Sequence, residues 1–218
     1  MLQQVKTLFL KEFTLEWRNR YALNGMLLYV ISTVFVCYLS FRQITSVPVW
    51  NALFWIIMLF ASINAVGRSF IQERKGRLLY YYSISSPQAF VLAKMAYNTL
   101  IMWVIGLMAY IIYFLFIGDL VQDHLMFGLA LFLGSTGFAL ILTLMSAIAS
   151  KTENNMSLMA ILSFPVQLPF LMTLIKFSKN AVDGLDPSVS YNLIIVLVMI
   201  IVIVLALSYI LFPYLWRD

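Results

Sequence analysis

Residues 192–213 read NLIIVLVMIIVIVLALSYILFP, a run that contains no acidic or basic side chain. An α-helix needs about 20 predominantly apolar residues to cross the hydrocarbon core of a bilayer. Leu, Ile, Val and Phe each favour insertion by roughly 0.3–0.6 kcal/mol at the bilayer centre. The run therefore predicts a membrane-spanning helix, which places the chain in the class of integral membrane proteins.

The remainder of the chain has the same character. Of its 218 residues, 63% are hydrophobic and 11% are charged, and the mean hydropathy is +0.94; soluble domains carry about 25% charged residues. Six stretches are long enough to span a bilayer: 22–41, 48–67, 95–117, 125–149, 156–175 and 192–213. We expect an all-α membrane protein with six transmembrane helices, a single domain over residues 1–218, and neither an internal repeat nor a soluble domain.

The distribution of Lys and Arg predicts the orientation. An even number of spans places both ends of the chain on one side, and cytoplasmic loops collect Lys and Arg. On the side of the termini lie Lys6, Lys11, Arg18, Arg20, Arg68, Arg74, Lys75, Arg77, Lys94, Lys151 and Arg217, against Arg42, Lys176 and Lys179 on the other. Both termini are therefore expected in the cytoplasm, and this topology explains the net charge of +5 without invoking nucleic acid.

The first 20 residues predict an amphipathic helix. Val5, Phe9, Phe13 and Trp17 recur every four residues, Leu2 extends the stripe, and charged residues occupy the other faces. Such a helix lies in the membrane interface, with its cations near lipid phosphates and its aromatic rings at the acyl boundary. The alternative is a helix that packs on another subunit.

Two spans carry packing signals. The fourth contains a set of small residues that would allow a neighbouring backbone to approach closely: Gly134, Ser135, Gly137, Ala139, Thr143, Ser146 and Ala147. In the fifth, Pro165 and Pro169 flank Gln167, and each proline removes an amide donor. We expect a kinked or broken helix there, with Gln167 or Ser163 satisfying a freed backbone group.

The connection over residues 68–94 is too long to be a simple linker between two helices. It mixes basic with apolar residues in the stretch FIQERKGRLL, and three tyrosines follow at 80–82. Ser86 and Pro87 predict a helix start, because serine caps exposed amides and proline suits the first turn. We interpret the connection as a cytoplasmic docking element for another protein; the alternative is a re-entrant segment in the interface.

The sequence lacks the residues that several classes of function require. The sequence contains no GxxxxGK[ST] phosphate-binding loop, so any ATP use requires a partner. No paired carboxylates or histidine clusters suggest catalysis, and no span carries the ionisable relay of an ion-driven carrier. His124 is the only histidine and Cys37 the only cysteine, so we expect a solvated His124, a structural Cys37, and neither an enzyme nor a metal site.

Four stretches resemble one family, the CcmB proteins of cytochrome c maturation, whose membrane subunits are similar to type-2 ABC exporters. They are KEFTLEWRNRYALNG at 11–25, FIQERKGRLL at 70–79, SSPQAFVLAK at 85–94 and SFPVQLPFLM at 163–172. The resemblance implies a permease subunit in the bacterial cytoplasmic membrane that couples ATP hydrolysis by a CcmA-like ATPase to haem handling and to release of the haem-loaded chaperone CcmE.

The same resemblance implies the partners and the docking residues. CcmC-like and CcmD-like membrane proteins would complete the complex, with a second copy of this chain, and haem would be its possible substrate rather than a cofactor of this chain. Residues 68–94 would form the coupling loop, in which the docking pattern falls on Phe70, Glu73, Arg74, Gly76 and Arg77.

Two other functions fit the same residues. One is the permease of a general type-2 ABC exporter for a lipid or a drug, and the other is a scaffold that recruits haem-handling partners without transport. Genomic neighbours would separate the first from a maturation subunit. Maturation that proceeds with an inactive ATPase would favour the second.

Overall fold

The computed structural model describes residues 2–18, 20–41, 46–67, 70, 85–151 and 155–217. Within these ranges the chain forms seven α-helices and one 3-10 turn, and they contain no strand. The helices are α1 (Leu2–Arg18), α2 (Arg20–Ser40), α3 (Val47–Val66), α4 (Pro87–Ile117), α5 (His124–Ala149), α6 (Asn155–Val182) and α7 (Tyr191–Arg217), and the 3-10 turn Pro187–Ser190 precedes α7.

The six predicted spans fall on α2 to α7. Helices α3 to α7 are each long and apolar enough to cross a membrane, and α2 contributes a shorter apolar helix over Asn24–Ser40. The expectation of an all-helical membrane protein is therefore confirmed. We call the end of the bundle that carries α1 the α1 face, and the other end the opposite face.

Helix α4 begins earlier than its predicted span. Its 31 residues start at Pro87, and a helix of that length measures about 46 Å at 1.5 Å per residue. The hydrocarbon core is about 30 Å thick, so α4 is long enough for its first turns to project beyond it on the α1 face. Those turns, from Pro87 onward, form the last part of the connection at 68–94.

Helix α5 is the centre of the bundle and packs against α3, α4, α6 and α7. Its small residues do allow close approach, but the groups that fill the space are aromatic rings. A Cβ at Gly134 would lie 2.6 Å from the Trp55 ring of α3, and one at Gly137 would overlap the Phe170 ring of α6. Large buried rings from α3 and α4, including Trp50, Phe54 and Tyr113, complete this core.

The proline-containing span is not broken, because α6 continues as one helix through Pro165 and Pro169. A kink within this helix stays a prediction. Ser163 Oγ donates to the carbonyl oxygen of Ala160 at 2.8 Å, which is not a carbonyl that either proline frees. Gln167 Nε2 is buried without a hydrogen-bond partner among the described residues. Neither side chain therefore satisfies a carbonyl that the prolines free, and α6 packs closely on α5, where the Phe170 ring lies against Gly137.

Candidate docking site

The predicted docking residues lie largely outside the described part of the chain. Glu73, Arg74, Gly76 and Arg77 are not among the described residues, and their role stays a prediction. Phe70 is described, and its side chain is only 5% exposed. The predicted docking loop is therefore anchored in the bundle at its first apolar residue.

Phe70 packs against two other aromatic rings. Its ring centroid lies 6.1 Å from that of Phe90 in α4 and 5.8 Å from that of Phe212 in α7. Phe90 and Phe212 in turn stack on each other at 6.1 Å with an interplanar angle of 18°. The three rings join the loop to the start of α4 and to the end of α7.

Lys94 lies beside this aromatic cluster, with its ammonium group facing two of the rings. The residue is 2% exposed, and its Nζ lies 5.1 Å from the Phe70 centroid and 5.5 Å from that of Phe90. An ammonium group within about 6 Å of a ring face is attracted by the negative charge of the π system. The two rings thus provide part of the environment that a buried charge requires.

Glu12 of α1 supplies the opposite charge. Its Oε1 lies 3.6 Å from Lys94 Nζ and 2.8 Å from Lys11 Nζ. Burial alone would raise the pKa of Glu12, but the nearby Lys94 and Lys11 outweigh it, and the pKa is lowered below the ordinary value of 4.5. Glu12 is therefore ionised at neutral pH and neutralises the buried lysine.

Helix α1 packs on α4 through a face that overlaps the predicted stripe only in part. Phe9 is half-buried with its ring centroid 6.3 Å from that of Tyr97, and Leu8 also packs against the core. Phe13 is 41% exposed, and the side chain of Trp17 lies outside the described residues. Phe9 therefore faces α4, whereas Phe13 lies on a more exposed side of the same helix.

Ser86 does not cap α4 as predicted, although the helix does begin at Pro87. Its Oγ donates instead to Oε1 of Gln4 in α1 at 3.2 Å. The hydroxyl thus adds a second polar contact between α1 and α4, beyond the pair of Glu12 with Lys94.

His124 and its neighbours make polar contacts on the opposite face. The imidazole Nε2 lies 2.9 Å from Oδ2 of Asp119, and Asp123 caps α5 by accepting hydrogen bonds from two backbone amides. Among the described residues, no three His, Cys, Asp or Glu side chains lie close enough together to hold a metal ion. His124 and Asp123 thus make contacts within the described chain. Of the two sites, the cluster around Lys94 is the stronger candidate for a functional role, because it contains a buried charge.

The sequence indicated some members of this cluster and missed others. The sequence predicts Phe70 as part of the docking loop. It does not predict that Glu12, Lys94 and Phe212 belong to the same cluster. The available signal was Lys94 itself, which is followed by a long apolar run and so lies where a lysine is costly without a partner. The identity of that partner depends on how α1 packs, which periodicity does not reveal.

Comparison with known proteins identifies one family. A family model described as CcmB protein matches residues 3–211, which is nearly the whole chain. No curated protein and no solved structure gives a significant match.

Proposed function

The chain belongs to the CcmB family, and from this membership we propose that it couples ATP hydrolysis on a separate CcmA-like ATPase to haem handling in cytochrome c maturation. It is a membrane subunit of that maturation system. The work done by the complex would be the release of the haem-loaded chaperone CcmE, with haem as a substrate of the complex rather than a resident cofactor of this chain. The family match over residues 3–211 is the observation that carries the proposal.

The division of labour follows from the residues. The chain has no phosphate-binding loop of its own, so nucleotide would bind on the partner. The predicted spans carry no ionisable relay. A helical bundle of this kind suits the transmission of movement, or an apolar route, better than the passage of ions.

The connection at 68–94 would be the surface on which the ATPase docks, with Phe70, Glu73, Arg74, Gly76 and Arg77 in contact or close to it. The α1 face would then be cytoplasmic, with both termini on that side of the bacterial cytoplasmic membrane. Because Phe70 packs on Phe90 and Phe212, a push on the loop would reach α4 and α7 directly.

The remaining partners follow from the same assignment. CcmC-like and CcmD-like membrane proteins would complete the complex. Two copies of this chain would be present, because a pair of ATPase subunits requires two docking surfaces.

Charge reversal in the loop tests the docking proposal. We expect Glu73→Lys combined with Arg74→Glu to abolish co-purification of the ATPase and to stop cytochrome c maturation, because both docking charges are inverted. The matched control is Lys179→Glu with Asp183→Lys on the opposite face, where Nζ and Oδ2 of the native pair lie 3.9 Å apart. Intact ATPase association and maturation in the loop variant would refute the proposal.

A further inference from the structure

We infer that Lys94 is a positioning residue that ties the movement of the docking loop to the N-terminal helix α1. This inference rests on the proposed function, since it concerns how a push on the loop spreads through the chain. It assigns α1 the role of a moving element rather than a fixed membrane anchor.

The geometry places one positive charge between the two elements. On one side of Lys94 Nζ lies the Phe70 ring at 5.1 Å, which belongs to the loop. On another lies Oε1 of Glu12 at 3.6 Å, which belongs to α1. Lys94 itself lies on α4, so a single side chain contacts the loop, its own helix and α1.

Burial makes these contacts interdependent. Lys94 is 2% exposed, so water cannot replace an interaction that the ammonium loses, and a buried charge without compensation is strongly unfavourable. If Phe70 moves away, the ammonium loses a ring that faces it and depends more heavily on Glu12. If Lys94 moves together with Phe70, either Glu12 moves with the lysine or the ion pair between them breaks. In either case the contact between α1 and α4 responds to the loop.

The aromatic contacts limit how the loop can move. Phe90 stacks on Phe212 at 6.1 Å, and both rings also contact Phe70. Displacement of Phe70 would therefore disturb α7 through Phe212, in addition to changing the distance between the Phe70 ring and the Lys94 charge. A simple packing role for Lys94 would need the volume of its side chain and not its charge, and this difference can be tested.

The first experiment measures whether Lys94 holds α1, in the purified chain alone. Cys37 is replaced by Ala, and a single cysteine is placed either at Leu8, which packs against the core, or at the exposed Thr7. In Lys94→Met we expect maleimide labelling at position 8 to be about fivefold faster, because labelling of a protected site follows local opening. Labelling at position 7 should not change.

Three further variants make this result specific. Lys94→Arg keeps the charge and the contact with the rings, and it should label at the native rate. Glu12→Gln removes the negative charge of the pair and should accelerate labelling at position 8 as Lys94→Met does. If Lys94→Met does not fold, Glu12→Gln alone tests whether the pair holds α1. Lys151→Met changes an exposed lysine at the end of α5 and should have no effect. Native labelling rates in both Lys94→Met and Glu12→Gln would overturn the inference.

The second experiment measures transmission in the assembled complex with the ATPase. A fluorophore on Thr7→Cys should report an ATP-dependent change in the native chain. In Lys94→Met that change should be at least about threefold smaller while the ATPase still co-purifies, since the two elements are no longer linked through one charge. A full change in Lys94→Met, or none in the native complex, would overturn the inference. A native chain that binds no ATPase would refute the proposed function instead, and labelling at position 8 would still decide whether Lys94 holds α1.

Discussion

Glu12 shows at the scale of one residue how burial and charge oppose each other. Its pKa is lowered because Lys94 and Lys11 together outweigh the effect of burial. A carboxylate with a lowered folded-state pKa stabilises the fold above the unfolded value and loses that contribution as the pH falls through the folded one. We therefore expect the melting temperature of the native chain to exceed that of Glu12→Gln at pH 7, and the difference to shrink below pH 4.5, the ordinary value for glutamate. A difference that is constant from pH 7 to pH 3.5 would contradict this account of the pair.

Two glycines of α5 provide a second test at the residue scale. A Cβ at Gly137 would overlap the Phe170 ring, whereas a Cβ at Gly128 would meet nothing within 4 Å. We expect Gly137→Ala to destabilise the protein by about 1–3 kcal/mol, the usual effect of overpacking a core. Gly128→Ala should cause no loss, because alanine favours a helix over glycine. Thermal unfolding of both variants in mild detergent measures the difference, and equal melting temperatures would show that Phe170 can move aside.

Helices α3 and α6 are joined at the element scale by a small polar network. Asn51 Nδ2 donates to the carbonyl of Ile175 at 2.9 Å, Ser178 Oγ donates to Asn51 Oδ1 at 2.9 Å, and Trp55 Nε1 donates to Ser178 Oγ at 2.7 Å. Hydrogen bonds between helices matter in membranes because lipid offers no alternative partner. The network therefore sets how these two helices align.

Removal of the shared hydroxyl tests this network. Ser178→Ala would leave Asn51 Oδ1 and Trp55 Nε1 each without this partner. We expect a loss of about 1–2 kcal/mol, since single interhelical bonds in membranes average about 0.6 kcal/mol. Ser208→Ala is the control, because that hydroxyl donates within its own helix, to Val204 at 2.7 Å. Equal thermal stability of the two variants would show that the network does not join the helices.

The proposed orientation of the whole molecule can be tested by thiol labelling in intact cells. In a Cys37→Ala background, we expect a cysteine at Lys75 to be protected from an impermeant reagent, because the loop would face the cytoplasm. A cysteine at Ser188, which is exposed on the opposite face, should be labelled. The reverse pattern would invert the topology and remove the docking surface from the reach of an ATPase.

Hydropathy determined the architecture of the molecule at this largest scale. Runs such as 192–213 are helices because a backbone in lipid must satisfy its own hydrogen bonds, and a helix does so within one segment. That requirement is local, so the apolar stretches could be located from sequence alone. The same local logic placed the start of α4 at Pro87.

The tertiary structure alone decided which residues meet at the candidate site. Glu12, Phe70, Lys94 and Phe212 come from α1, the loop, α4 and α7, and only their packing brings them into one cluster. Periodicity assigned Phe13 and Phe9 to one stripe, yet α1 turns Phe9 and Glu12 toward α4 and leaves Phe13 exposed. The pattern of a single helix shows that it has an apolar face, but the rotation of that helix depends on its neighbour. Here a buried lysine on the neighbouring helix, far along the chain, requires the carboxylate of Glu12 beside it.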